Sequence, residues 1–188
     1  MGIMIYTDGG CSGNPGPGGW AYVIIKAEKY LPARAGQPET SEQLTIITEK
    51  WGAQRDTTNN RMELSAVIAA LEALSNLEES HGIVTVYTDS QYVQKGISTW
   101  IHTWKKNGWK TSDKKPVKNM ELWQRLDELS STFLLTWKWV KGHGGNEFNE
   151  RCDRMTQQAI ASLGTWGELY TVEDRAADQE GPQKKRRE

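Results

Sequence analysis

Ile3-Met4-Ile5-Tyr6-Thr7-Asp8-Gly9, read beside Ile83-Val84-Thr85-Val86-Tyr87-Thr88-Asp89, decides the fold. Both are short runs of β-branched and aromatic residues, the composition of strands, and each stops at an aspartate. Trp20 to Lys26 reads as a second strand. It is separated from the first by Gly9 to Gly19, a turn-rich segment with six glycines and two prolines. Leu44 to Trp51 supplies a third strand. Between the second and third, residues 27–43 have no helical period and hold Pro32, Gly36 and Pro38, so an extended solvent loop is expected there.

Arg61 to Leu74 places Leu64, Val67, Ile68, Leu71 and Leu74 at helical spacing, the pattern of an amphipathic helix on a sheet. Ser90–Ile97, Trp100–Lys106 and Met120–Leu129 read as further helices, and Thr132–Val140 as the fifth strand. Asn149–Leu163 reads as a last helix with Cys152, Met155, Ala159, Ile160 and Leu163 as its apolar stripe. Three strands in succession followed by strand–helix alternation predict an α/β fold. Its five-stranded mixed sheet has three antiparallel strands and two parallel additions, with helices on both faces. A right-handed crossover sets strand four parallel beside strand one, so Asp8 and Asp89 end neighbouring strands where open α/β sheets bind ligands.

The 188 residues suffice for one domain with a real core, taken as residues 1–163, followed by a polar, flexible tail over 164–188. Lys184-Lys185-Arg186-Arg187 near its end reads as an ordinary solvated run rather than a nucleic-acid contact. The net charge of −1 identifies no partner. No apolar run approaches the ~20 residues of a membrane span, and the N-terminus lacks the basic start of a cleavable signal. Cys11 and Cys152 have no metal or redox spacing, so free thiols and a cytoplasmic location are expected.

Each acidic residue of interest has an ordinary explanation taken singly. Asp8 could start a turn, Glu63 could complete a capping box with Asn60, Asp89 could cap a helix, and Asp153 could be solvated beside the last apolar stripe. Taken together these explanations fare worse. The topology brings Asp8 and Asp89 to adjacent strand ends, with Glu63 in the first turn of the neighbouring helix. Carboxylates packed at 4 Å repel by about 4 kcal/mol per pair at an effective dielectric near 20, so such a cluster calls for cations. All-oxygen ligands at a wet edge suit Mg²⁺ or Mn²⁺. Two such ions about 4 Å apart activate water and stabilise the leaving oxygen in phosphodiester cleavage.

A second constellation lies between Lys95 and Lys118. Seven lysines against Asp113 alone make a local charge of +6 in a chain of net −1. Trp100 and Trp104 stand four apart on one helical face, with Trp109 beyond. Basic residues following phosphates beside aromatic faces fit a nucleic-acid groove better than a solvated lysine face over core tryptophans.

Four motifs occur in order: Tyr6-Thr7-Asp8-Gly9 with Gly13-Asn14-Pro15-Gly16-Pro17-Gly18-Gly19, then Thr58-Asn59-Asn60-Arg61-Met62-Glu63-Leu64, then Thr88-Asp89-Ser90-Gln91-Tyr92-Val93. The fourth is Val140-Lys141-Gly142-His143-Gly144-Gly145 through Asn149-Glu150-Arg151-Cys152-Asp153. In these, and in residues 100–124, the chain resembles type 1 ribonuclease H, closely the bacterial form. The resemblance implies an endonuclease for the RNA strand of RNA–DNA hybrids, acting as a monomer without a membrane or obligate protein partner. In the family pattern Asp8, Glu63, Asp89 and Asp153 hold two Mg²⁺, with Mn²⁺ as a substitute, and His143 is the loop histidine for proton transfer or product departure. Cys11, Gly13, Asn14, Asn59 and Gln91 then line the RNA side, where the 2′-hydroxyl marks the strand. Thr58 and Asn119 match a phosphate pocket for the DNA strand, in which some relatives have an arginine where this chain has Asp56. Residues 95–118 match the family's basic handle, with Tyr92, Trp100 and Trp104 in its DNA channel and Lys105 and Lys106 beside them. Two other readings remain: a transposase, integrase or resolvase on the same fold, and a hybrid-binding module without catalysis. The handle and the Thr58–Glu63 motif oppose the first, and the four acids oppose the second.

Overall fold

β1 (Gly2–Cys11) becomes the centre of the sheet because its alternating side chains are buried on both faces. Ile3 and Ile5 join one apolar cluster, and Tyr6 joins the opposite one with Met4 against it. A computed structural model describes residues 2–30, 41–77 and 82–164. β2 (Gly16–Tyr30) pairs antiparallel with β1, Asp8 facing Ala21, and β3 (Ser41–Thr57) pairs antiparallel with β2. β4 (Ile83–Thr88) lies parallel to β1, Thr7 opposite Thr88, and β5 (Leu134–Trp139) lies parallel to β4. The order β3-β2-β1-β4-β5 is the expected mixed sheet.

Two of the expected loops and turns differ from expectation. The loop expected at 27–43 is shorter, because β2 and β3 stay paired out to Tyr30 and Ser41; what lies between them is outside the described residues. The turn-rich Gly9–Gly19 segment is mostly strand, with Gly10 paired to Gly19 and Cys11 to Gly18. Its glycines make room for helices. A Cβ on Gly19 would stand 2.8 Å from both Ala159 Cβ and the Thr156 carbonyl, so the last helix rests on the bare backbone. The tail beyond Gly164 is outside the described residues.

α1 (Asn59–Ser75) covers one face of the sheet. Its Leu64, Val67, Leu71 and Leu74 are fully buried, each contributing about 1.5–3 kcal/mol relative to exposure. α4 (Met120–Ser130) packs beside it through Trp123 and Leu126. α5 (Glu147–Ser162) covers the other face with Cys152, Thr156 and Ala159, and Arg151 pairs with Glu49 to tie it to β3. Among the described residues no helix is long and apolar enough to cross a membrane.

The two helices expected over residues 90–106 form one unbroken rod. α2 (Gln91–Lys95) passes through a π-helical turn, Gly96–Trp100, into α3 (Ile101–Lys106). At Gly96 the rod lies flat against the buried Trp123 ring, which a Cβ would overlap. Gly96→Ala should therefore lower stability by about 1–3 kcal/mol through overpacking, although alanine favours helix by about 1 kcal/mol over glycine. Urea unfolding decides it; a variant as stable as the parent would mean that the Trp123 ring has room to yield.

Candidate active site

None of the ordinary explanations for the acidic residues survives the geometry, except that Asp153 is part-exposed. Asp8 is inside β1 and only 8% exposed, not at a turn. The residue capping α1 is Thr58, without a side-chain cap, and Glu63 is turned inward at 6% exposure. Ser90, not Asp89, caps α2, its hydroxyl accepting from the Val93 N–H at 3.3 Å.

Glu63 reaches the edge because Gly9 has no side chain. A Cβ there would collide with the Met62–Glu63 backbone, so α1 sits directly on β1, and the nearby Gly9 N–H favours the charged form of Glu63. Asp8 is pushed up to about 6, first by burial and then by the charges of Asp89 and Asp153, opposed by the nearby Thr156 hydroxyl, which donates to the Asp8 backbone carbonyl at 3.3 Å. Burial, then Asp8 and Asp89, hold Glu63 well above the usual carboxylate range. Its Oε2 is buried with no hydrogen-bond partner. A desolvated carboxylate with an orphaned oxygen, coupled to other acids, is the donor chemistry of a hard divalent cation. Among the described residues, however, no three histidine, cysteine or acidic groups already form a closed cage.

His143 projects from the loop between β5 and α5, with its side chain 80% exposed and Nδ1 3.8 Å from Asp153 Oδ2. Its φ of 52° is left-handed, an arrangement uncommon for a residue with a side chain.

Of the residues expected on the RNA side, Cys11, Gly13, Asn14 and Asn59 lie at the β1–β2 turn and the start of α1, whereas Gln91 begins α2. Asn14 Oδ1 accepts from the Asn59 N–H at 3.3 Å, Gly13 has a φ of 80°, and Cys11 Sγ lies 3.2 Å from the Gly16 carbonyl. Gln91 Oε1 accepts from Lys95 Nζ at 3.1 Å. At the expected phosphate pocket the Thr58 hydroxyl is buried without a partner, while Asn119, left-handed at φ 58°, immediately precedes α4. Arg61 reaches toward Asn119 Oδ1 at 3.5 Å and pairs with Glu121, bringing a guanidinium to this pocket that no sequence signal singled out.

In the handle the aromatics divide. Trp123 is fully buried, and Tyr92, Trp100 and Trp104 gather over it with ring centroids 5.3–6.0 Å apart. The Tyr92 hydroxyl accepts from Trp123 Nε1 at 3.0 Å and Asn119 Nδ2 at 3.3 Å, tying the rod to the pocket. Lys105 differs from the other handle lysines, since its Nζ pairs with Asp127 at 2.7 Å. Asn149 is the other residue not assigned a role from sequence. It is 2% exposed and donates to Asp89 Oδ2, and its place four before Asp153 on one helical face is the signal that could have found it.

Because the folded-state pKa of Asp8 lies above its ordinary value of 3.8, the native state holds the extra proton, and stability falls as pH rises from about 4 to about 6. At pH 7 in chelator, Asp8→Asn should be more stable than the parent by on the order of 1–3 kcal/mol, an advantage absent below about pH 4. Urea unfolding at the two pH values measures this. Equal stability at pH 7 would show that the carboxylate is not strained.

Comparison with known proteins agrees with this geometry. The family model for RNase H matches residues 1–161. The chain is 52% identical to the ribonuclease H of Cupriavidus metallidurans over 163 residues, covering 87% of this chain and 98% of that protein. It is 49% identical to the ribonuclease H of Treponema denticola over 173 residues, covering 87% and 99%. Among solved structures, LC9-RNase H1, described as a type 1 RNase H with the type 2 active-site motif, superposes with a TM-score of 0.71 at 30% identity, covering 93% of this chain and 80% of that one. LC11-RNase H1, solved in complex with an RNA/DNA hybrid, superposes with a TM-score of 0.59 at 25% identity, covering 86% and 98%. With its sheet order, its acidic edge and near-complete matches of this kind, the chain belongs to the ribonuclease H family.

Proposed function

We propose that this ribonuclease H hydrolyses the RNA strand of RNA–DNA hybrids at an edge built to hold two divalent cations, leaving 5′-phosphate and 3′-hydroxyl ends. The observation that carries the reading is the buried, unpartnered Glu63 Oε2 beside Asp8 and Asp89. Asp8, Glu63, Asp89 and Asp153 would hold Mg²⁺, or Mn²⁺ in its place. When bound, the ions supply Lewis-acid activation of water and stabilise charge on the scissile phosphate. Asp8 is central, its ionisation opposed by both Asp89 and Asp153, which fits a shared ligand. Asp153 with Asp8 would hold the cation that activates water, and Glu63 with Asp89 the other.

His143, on its exposed loop 3.8 Å from Asp153, moves a proton or helps product depart. Cys11, Gly13, Asn14, Asn59 and Gln91 read ribose. Thr58 and Asn119 take a DNA phosphate, with Arg61 supplying positive charge near Asn119. Tyr92, Trp100 and Trp104 support DNA sugars, and the handle lysines bind phosphates without reading bases. The catalytic domain spans residues 1–163 and acts in the cytoplasm as a monomer, in keeping with two free cysteines.

With labelled hybrid, duplex DNA and duplex RNA, only hybrid should be cut, and only with divalent cation. Asp8→Asn should still bind hybrid yet lose nearly all cleavage, whereas His143→Ala should slow turnover by about 10²–10⁴-fold. Metal-independent cleavage, or near-normal turnover by Asp8→Asn, would defeat the two-cation reading.

Lys106, Lys114 and Lys115 are exposed, and Lys105 is left intact because its loss would strand Asp127. Replacing the three with Ala should raise KM and flatten the slope of log affinity against log salt by up to roughly 2–3, with kcat within a few-fold. An unchanged slope with a large fall in kcat would remove the handle from substrate binding.

A further inference from the structure

Asp89 is held more firmly than its place at a strand end requires. Its carbonyl accepts from Trp139 Nε1 at 2.9 Å, and its Oδ2 accepts from Asn149 Nδ2 at 3.4 Å. A carboxylate only accepts, so the amide must present its NH₂ to Asp89. That leaves Asn149 Oδ1 facing away, buried and without a partner. On another side the loop backbone is close: a Cβ on Gly142 would stand 2.8 Å from the same Oδ2.

Asn149 is itself fixed. It stands in the first turn of α5, where its N–H donates to Asn146 Oδ1 at 3.1 Å, and Cys152, three residues on, donates to the Tyr6 carbonyl of β1 at 3.3 Å. The start of α5 is thus anchored to the central strand and aimed at the end of β4. A buried amide with one half unsatisfied is a poor choice for filling space, and its one side-chain hydrogen bond goes to an acid of the site.

We infer that Asn149 is a positioning residue for Asp89, holding Oδ2 so that Oδ1 is the oxygen presented as a cation ligand. The role rests on the divalent-cation reading above. It also links the histidine loop to that ligand, since Gly142 precedes His143 and packs on the same carboxylate oxygen.

Calorimetric titration of Mg²⁺ into the folded, substrate-free protein separates the possibilities, using the parent, Asn149→Ala, Asp89→Asn and the double variant. Asn149→Ala should weaken Mg²⁺ binding by about 10–100-fold, the scale of lost outer-shell partners. It should add almost nothing to the loss in the Asp89→Asn background. In the cleavage assay kcat should fall, while KM for hybrid stays within a few-fold. If Asn149→Ala fails to fold, Asn149→Thr, close in volume but without the amide, should give the same pattern. A parent that binds Mg²⁺ and an Asn149 variant that binds it equally well would overturn this role alone, as would equal losses in both backgrounds. A parent that binds no Mg²⁺ would overturn the cation reading and this role with it.

Discussion

Helix α1 lies on β1 with no side chain between them at Gly9, and the acidic edge depends on that contact. Two elements on different layers of a domain normally keep their polar groups apart, because side chains space the layers. Here the backbone of Met62–Glu63 comes down to the strand, and Glu63 arrives beside Asp8 instead of in solvent. On the opposite face Gly19 does the same for α5, whose Thr156 and Ala159 rest on the sheet, and this brings Asp153 within electrostatic reach of Asp8. The glycines of the first hairpin are therefore spacing devices that let two helices approach the same strand end.

That approach has an energetic cost. Asp8 and Glu63 are desolvated in a region where acids raise each other's pKa, so at neutral pH the site opposes folding. The core beneath offsets it: Ile5, Ile24, Leu64, Val67, Leu71, Val84 and Val86 are all fully buried around the same strands. On the opposite face the buried Cys152 donates to the Tyr6 carbonyl, and burial drives its thiol pKa far up, which keeps it uncharged and unreactive. A rigid core carrying an electrostatically strained edge is the arrangement expected where function, not stability, sets the residue types.

The handle has a different logic. Its aromatic residues grade from the fully buried Trp123 through Tyr92 and Trp104 to the lysine-bearing surface, so the basic rod is fastened to the core by aromatic packing and by the Tyr92 hydroxyl. The π turn and Gly96 let the rod cross the Trp123 face closely. Under the proposed function, charge on such a support would meet a phosphate backbone with little reorganisation, while Lys105 pairs with Asp127 within the fold.

Strand identity, sheet order, the parallel placement of β4 beside β1 and the candidate acids were legible in the sequence. Periodicity and crossover handedness are local or topological rules that survive without coordinates. Helix ends and turn glycines were less so. The sequence pattern of Gly9–Gly19 is the same whether glycine serves a turn or a close approach, and only the packed helices distinguish the two. The gap expected between two helices near Thr99 is bridged by a π turn against Trp123, a contact between residues far apart in the chain. Roles set by partners were also hidden: Lys105 with Asp127, Arg61 at Asn119, and Asn149 at Asp89. Residue types and their spacing thus determined what chemistry the chain holds. Only the tertiary structure decided which of those groups meet, because burial and pairwise distance depend on how the layers pack.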